Sequence, residues 1–284
     1  MAVIGAGTMG HGIAQVVAAA GCETTLTDAR PDALDPALDR IRANLDGAVA
    51  RGKTTAELAA ATLARIELSP DLGATVANAD IVIEAVFEDP ALKRALLADV
   101  AKKAPERATL ATNTSSLSVA RIAEAIATPG RVVGMHFFNP VHIMKLVEVV
   151  RHDAADRDHV DRVVALARAM GKEPIVVRDS PGFASSRLGV VLGLEAMRMV
   201  EEGVAEPADI DKALELGYGH PMGPLKVSDL VGLDVRLAIA EYLHRELGAP
   251  HYAPPEILRT MVAGGRLGKK TGKGFYEWPK TKTS

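Results

Sequence analysis

Short apolar runs alternate with amphipathic stretches through the first two-thirds of the chain. Ala2 to Ile4, Thr25 to Thr27, Ile81 to Ile83, Ala108 to Ala111, Val132 to Met135, Leu146 to Val150 and Pro174 to Val177 have the character of short buried strands. Helical periodicity fills the gaps. Asp89-Pro90 supplies an N-cap and a first-turn proline, and Leu92, Leu96, Leu97 and Val100 then mark one face. Val160, Val163, Val164 and Ala167 do the same for a helix ending at Gly171. The stretch from Asp32 to Lys53 reads as one extended helix, with Leu38, Ile41, Leu45 and Val49 on a face and Arg40, Arg42, Arg51 and Lys53 toward its far end. Strands and helices in alternation imply a doubly wound α/β sheet covered on both faces.

The pattern changes after Ser180-Pro181-Gly182. From Ser185 onward only helical patterns remain, and Leu188 to Val200 is apolar on nearly all sides, which predicts a buried helix. Gly217 to Pro224 is a breaker-rich loop. Two domains follow from this: a Rossmann-type α/β domain over residues 1–181 and an all-α domain over 182–284.

The first strand runs directly into Gly5-Ala6-Gly7-Thr8-Met9-Gly10, then a helical segment, then a second strand ending in Asp28. This is the order of a dinucleotide-binding βαβ unit. Gly5 allows the tight turn, Gly7 lets backbone approach a pyrophosphate, and Gly10 lets helix and sheet pack closely; Thr8 and Met9 complete the loop. The phosphates then sit on unpaired N–H groups at the helix start. Asp28 can accept hydrogen bonds from the adenosine ribose, and its charge repels a 2′-phosphate, so NAD is expected over NADP despite the nearby Arg30.

Composition narrows the classes. With 284 residues, 48% hydrophobic and 24% charged, the chain can bury a core in each domain. A net charge of −3 gives no general attraction to nucleic acid or an anionic membrane. A single cysteine, Cys22, excludes an intrachain disulfide and fits a reducing compartment. No apolar run is long enough to span a membrane, and the apolar start is spent on the glycine loop rather than on a signal peptide. A cytoplasmic protein is expected.

Three strand ends carry polar residues that packing does not require. One runs into Asn113-Thr114-Ser115-Ser116, and one ends in His136-Phe137-Phe138-Asn139-Pro140. The third carries Glu148 in an apolar run, where it is costly unless paired. A histidine on a nearby strand end is its natural partner, since a carboxylate fixes the imidazole tautomer and makes it a better base. Each piece also has a plainer reading. His136 could be a structural histidine, Glu148 could face solvent from an edge strand, and the Asn-Thr-Ser-Ser stretch could cap a helix marked by Leu117, Val119, Ile122 and Ile126.

These residues carry a resemblance. Gly5 to Gly10, Ile83 to Glu88, Asn113 to Leu117, His136 to Pro140 with Met144 to Glu148, Ser180 to Phe183, Pro221 to Pro224 and Gly268 to Tyr276 together resemble the short-chain L-3-hydroxyacyl-CoA dehydrogenases of the 3-hydroxybutyryl-CoA type. The resemblance implies an N-terminal NAD domain and a helical C-terminal domain that contributes to the substrate site and forms a homodimer. It implies His136 as the base that takes the 3-hydroxyl proton, Glu148 as its orienting partner, and Ser115 as a hydrogen-bond donor to the substrate oxygen near the nicotinamide. Asn139 would order the cofactor and the catalytic loop, and Glu88, Lys93 and Lys270 match positions that contact NAD. Asn44 and Arg51 match positions that touch CoA, with Lys53 beside them. Ser186 stands where the family often has asparagine in the substrate site.

Reversible NAD-linked interconversion of a 3-hydroxyacyl-CoA and its 3-oxoacyl-CoA is therefore the leading reading. A dehydrogenase of a free hydroxy acid or sugar acid, similar to gulonate 3-dehydrogenase, is the alternative within enzymes, but it gives no reason for Arg51 and Lys53. A non-catalytic NAD-binding protein would have no need of the Ser115, His136 and Glu148 set.

Overall fold

The computed structural model describes residues 1–279; positions 280–284 of the expected C-terminal domain lie outside the described residues. The chain divides into two compact units, Met1–Phe183 and a second beginning at Ala184.

The first unit is built on one eight-stranded sheet. Its strands are β1 (Ala2–Ile4), β2 (Thr24–Thr27), β3 (Ile66–Leu68), β4 (Ile81–Glu84), β5 (Thr109–Thr112), β6 (Val132–Phe137), β7 (Leu146–Arg151) and β8 (Glu173–Arg178). The spatial order is β3-β2-β1-β4-β5-β6-β7-β8. Every neighbouring pair is parallel except β6 and β7, which are antiparallel. The chain winds outward in one direction through β3 and in the other from β4, so a switch point lies between β1 and β4, where such sheets bind ligands. This is the doubly wound architecture that the alternating pattern predicts.

Both faces are covered. The helices are α1 (Gly10–Ala19), α2 (Leu34–Ala50), α3 (Ala56–Ala64), α4 (Leu72–Val76), α5 (Pro90–Lys103), α6 (Val119–Ala123) and α7 (Arg157–Ala169). Val3 joins a core with Ile13 and Val17 of α1, Ile41 of α2 and Val163 of α7. Its neighbours Ala2 and Ile4 join a separate core with Leu97 and Val100 of α5 and Ile122 of α6. Successive strand residues thus feed opposite layers, which is why these strands read as continuous apolar runs. Asp89 caps α5 by accepting the Leu92 N–H at 2.7 Å, with Pro90 in the first turn.

The edge strand β3 and its lead-in helix α3 add to the elements that the sequence pattern predicts. Arg40 and Arg42 do not share the far end of α2 with Arg51: Arg40 donates to the Ala6 carbonyl at 2.8 Å, and Arg42 pairs with Asp39. The cap of α6 is Ser118, which accepts the Arg121 N–H, rather than the Asn-Thr-Ser-Ser stretch.

The second unit is helical, with α8 (Ser185–Glu201), α9 (Pro207–Gly217), α10 (Pro224–Val231), α11 (Leu233–Leu247) and α12 (Glu256–Ala263). Val190, Leu194 and Met197 of α8 form a buried stripe at helical spacing and meet Leu225, Leu233, Ala240 and Leu258. Leu188 and Leu192, four residues apart, are 62% and 42% exposed, so α8 is not buried all round as its composition predicts. The Gly268–Tyr276 motif wraps the buried Asp229, whose carboxylate accepts the Phe275 and Tyr276 N–H groups and the Trp278 indole N–H. A Cβ on Gly274 would lie 2.0 Å from that carboxylate, which explains the glycine.

Candidate active site

The loop from Gly5 to Gly10 joins β1 to α1 at the carboxyl end of the parallel strands. Gly5 has φ +104°, a conformation that side chains disfavour, and a Cβ there would lie 2.6 Å from the Ala85 carbonyl oxygen. A Cβ on Gly10 would fall 1.6 Å from the Gly5 carbonyl oxygen, so the first turn of α1 rests on the loop backbone. Gly7 differs: nothing stands within 4 Å of the place its Cβ would take, and it faces an open cleft. Bare backbone at a helix N-terminus fits a pyrophosphate. Asp28 follows β2. Its Oδ2 accepts the Ala6 N–H at 2.7 Å and its Oδ1 accepts the Arg30 N–H at 2.9 Å, so the carboxylate ties the glycine loop to the strand end.

The cleft holds about 680 Å³. Gly5, Gly7, Thr8, Met9 and Asp28 line it together with Glu88, Ser115 and His136, so the ends of five strands contribute to one cavity. Glu88 Oε1 accepts from the Ser115 N–H at 2.8 Å and the Thr114 hydroxyl at 2.6 Å, holding the loop after β5. Asn113 adds a second tie, its Oδ1 accepting the Phe137 N–H at 2.9 Å across to β6.

His136 and Glu148 are opposite residues of the β6–β7 hairpin, in direct register. Because β7 is antiparallel to β6, its start returns to the cleft end of the sheet, which is how a glutamate twelve positions later meets the histidine. His136 Nδ1 lies 2.8 Å from Glu148 Oε2, and Glu148 is fully buried. An ionised carboxylate only accepts, so Nδ1 carries the proton and Nε2 is left as an acceptor. The imidazole is flanked by Phe138 and Phe183, with centroids at 4.4 and 6.0 Å. An imidazole held by a carboxylate at the wall of a cleft is an arrangement that can accept and return a proton.

Residues 1–180 match the family model described as 3-hydroxyacyl-CoA dehydrogenase, NAD binding domain, and residues 182–278 match its C-terminal domain. The chain belongs to the 3-hydroxyacyl-CoA dehydrogenase family. A probable 3-hydroxybutyryl-CoA dehydrogenase of Bacillus subtilis is 44% identical over 276 residues, covering 97% of this chain and 96% of that one. The human mitochondrial hydroxyacyl-coenzyme A dehydrogenase is 40% identical over 284 residues, covering 97% and 90%. The crystal structure of (S)-3-hydroxybutyryl-CoA dehydrogenase from Ralstonia eutropha superposes with a TM-score of 0.95 at 39% identity, covering 98% of both chains.

Other candidate residues of this 3-hydroxyacyl-CoA dehydrogenase family member are placed as follows. Asn139 is exposed in the turn after β6. Lys93 is fully buried, its ammonium 2.7 Å from Glu84 and 3.5 Å from Glu88, so it faces carboxylates rather than the cleft. Asn44 donates to the Gln15 side chain at 3.0 Å, while Arg51 and Lys53 lie exposed at the end of α2. Ser186 lies in the first turn of α8, and Lys270 pairs with Asp234 at 2.6 Å; both belong to the second unit.

The sequence singles out neither Glu84 nor Lys172, and it marks Asn113 only as a polar residue at a strand end. Lys172 is buried and donates to the carbonyls of Val141 and, at 2.8 Å, Met144, which pins the loop between His136 and Glu148. Burial pulls its pKa below the usual lysine value. A lysine just past a glycine C-cap gives no such signal in sequence, whereas a glutamate inside Ile-Val-Ile-Glu has the same mismatch with its neighbours as Glu148.

Proposed function

We propose that this chain catalyses the reversible NAD-dependent oxidation of a 3-hydroxyacyl-CoA, such as 3-hydroxybutyryl-CoA, to the 3-oxoacyl-CoA. The observation that carries this reading is the 2.8 Å His136–Glu148 pair on the wall of the nucleotide cleft. Bound NAD supplies the hydride acceptor. The glycine loop would hold its pyrophosphate and Asp28 its adenosine ribose. His136 Nε2 takes the proton of the 3-hydroxyl as hydride departs from C3, and returns it in the reverse direction. Glu148 stabilises the imidazolium formed in that step, and Ser115 hydrogen-bonds the reacting oxygen. Ser186 adds a hydroxyl on the substrate side, and Asn139 and Lys270 complete the cofactor contacts.

Asn44, Arg51 and Lys53 are assigned to CoA, whose phosphates call for cations. The helical unit is assigned to homodimer formation. Leu188, Leu192, Leu216, Tyr218, Leu230 and Val235 all lie exposed on it, apolar side chains that a second copy would cover. A cytoplasmic location follows the same reading. No helix among the described residues is long and apolar enough to cross a membrane.

The test is NADH consumption with a series of 3-oxoacyl-CoA chain lengths, with the free 3-oxo acid as control. Turnover of the thioesters and neglect of the free acid is the expected outcome. Equal turnover of the free acid would favour a dehydrogenase of hydroxy acids. No turnover of either would favour a non-catalytic NAD-binding role.

A further inference from the structure

Beneath the Ser115 loop lies a chain of charged groups that takes no part in the proton transfer. Glu84, the last residue of β4, is fully buried, as are Lys93 and Thr112. Glu84 Oε1 accepts the Lys93 ammonium at 2.7 Å and the Val86 N–H at 2.7 Å, and Oε2 accepts the Thr112 hydroxyl at 2.6 Å. The Lys93 ammonium is also 3.5 Å from Glu88 Oε2. The other oxygen of Glu88 accepts from the Thr114 hydroxyl, the Ser115 N–H, the Ser115 hydroxyl and the Ser116 N–H, at 2.6, 2.8, 3.2 and 3.3 Å.

We infer that Glu84, Lys93 and Thr112 are positioning residues for the reaction, acting through Glu88 to set the Ser115 loop. Stability alone does not account for them. A buried ion pair costs desolvation that its Coulomb attraction barely offsets, and an apolar pair of the same volume is often as stable. The position of Lys93 also runs against local preference, because it stands in the opening turns of α5, where the helix dipole disfavours a cation. What the arrangement provides is direction. Glu84 is locked from three sides and fixes the ammonium. The ammonium fixes one oxygen of Glu88, and the other oxygen is thereby aimed at two consecutive amides and two hydroxyls of the loop. Lys93 reaches the reacting groups through a carboxylate and not by its own contact.

The inference rests on the proposed dehydrogenase reading for its kinetic half only. The double variant Glu84→Gln/Lys93→Met removes both charges together and leaves no lone buried ion. It should retain cooperative unfolding, while kcat falls by about tenfold or more. In a Ser115→Ala background the same double change should cost less than about twofold, because its effect passes through Ser115. Hydrogen exchange at the Ser115 and Ser116 amides, measured without substrate, should become faster in the double variant. Thr112→Val, an isosteric change in a buried strand, provides a second route should the double variant fail to fold, with the same signs and smaller size. Unchanged exchange at these amides would overturn the inference, as would a kcat loss that multiplies fully with Ser115→Ala. If the parent turns over no CoA thioester, the dehydrogenase reading fails, and the exchange measurement still decides the network.

Discussion

Gly10 stacks on Gly5 so tightly that a methyl group on the first would lie 1.6 Å from the carbonyl oxygen of the second. Gly7, midway between them in the loop, has nothing within 4 Å of its own missing side chain. The three glycines of one motif therefore differ: two are constrained by the protein itself, and one opens onto the cleft. Gly10→Ala should lower Tm sharply or prevent folding, since backbone on both sides must shift. Gly7→Ala should fold with Tm close to the parent and lose NADH affinity by at least about tenfold, or roughly 1.4 kcal/mol. Thermal unfolding and a fluorescence titration with NADH check both halves.

Asp28 should set cofactor choice. Its carboxylate accepts two backbone N–H groups at the cleft edge, so its position is fixed where a ribose hydroxyl or a 2′-phosphate would arrive. The parent should show a higher kcat/KM with NADH than with NADPH on one substrate. Asp28→Ala should narrow the difference, leaving Arg30, which also borders the cleft, to attract the phosphate. Equal values in the parent would remove Asp28 from this role.

Arg51 should act on CoA binding and not on the chemical step. It stands exposed at the end of α2, far along the helix from the glycine loop that Arg40 touches. Arg51→Ala should raise KM for a 3-oxoacyl-CoA several-fold with kcat nearly unchanged, as loss of uniform binding does. Added salt should weaken binding more in the parent than in the variant. An unaltered KM would leave the arginine as a solvated surface charge.

The C-terminal unit should lose stability in alkali through Tyr276. Its hydroxyl donates to Asp211 at 2.7 Å, and burial followed by that bond and the Asp211 charge raises its pKa well above the usual 10.0. The folded-state value is the higher one, so this contribution is complete below pH 10 and is lost as the pH rises above it, where only the unfolded chain ionises. Tyr276→Phe should lower Tm at neutral pH and flatten its fall above pH 10. A parallel fall in both proteins would mean that another group governs the alkaline limit.

Much of this was legible in the sequence for physical reasons. The β1–loop–α1–β2 unit is readable because parallel strands are apolar on both faces and because each glycine answers a steric demand. Glu148 was conspicuous because a carboxylate inside Leu-Val-Glu-Val-Val must find a partner. The antiparallel turn that delivers it to His136 was not legible, since strand direction leaves no trace in residue type. Ile66–Leu68 escaped because a short edge strand needs no apolar run. The exposed stripe of α8 escaped because apolarity on a helix does not say whether the protein's own core or another surface covers it. The two glutamates around Lys93 were not legible either, because a lysine in the opening turns of a helix gives no sign of complete burial.

The central claim is that His136 and Glu148 form one proton-transfer unit. It is tested most directly by hydride transfer from NADH to a 3-oxoacyl-CoA in the parent, His136→Ala, Glu148→Gln and the double variant, with NADH affinity measured alongside. Removing a general base or acid costs on the order of 10²–10⁴-fold in rate. His136→Ala should fall in that range with NADH affinity nearly intact, Glu148→Gln should fall steeply as well, and the double variant should be scarcely slower than His136→Ala. Near-parent turnover in His136→Ala would contradict the account, and losses that multiply in the double variant would separate Glu148 from the histidine it faces.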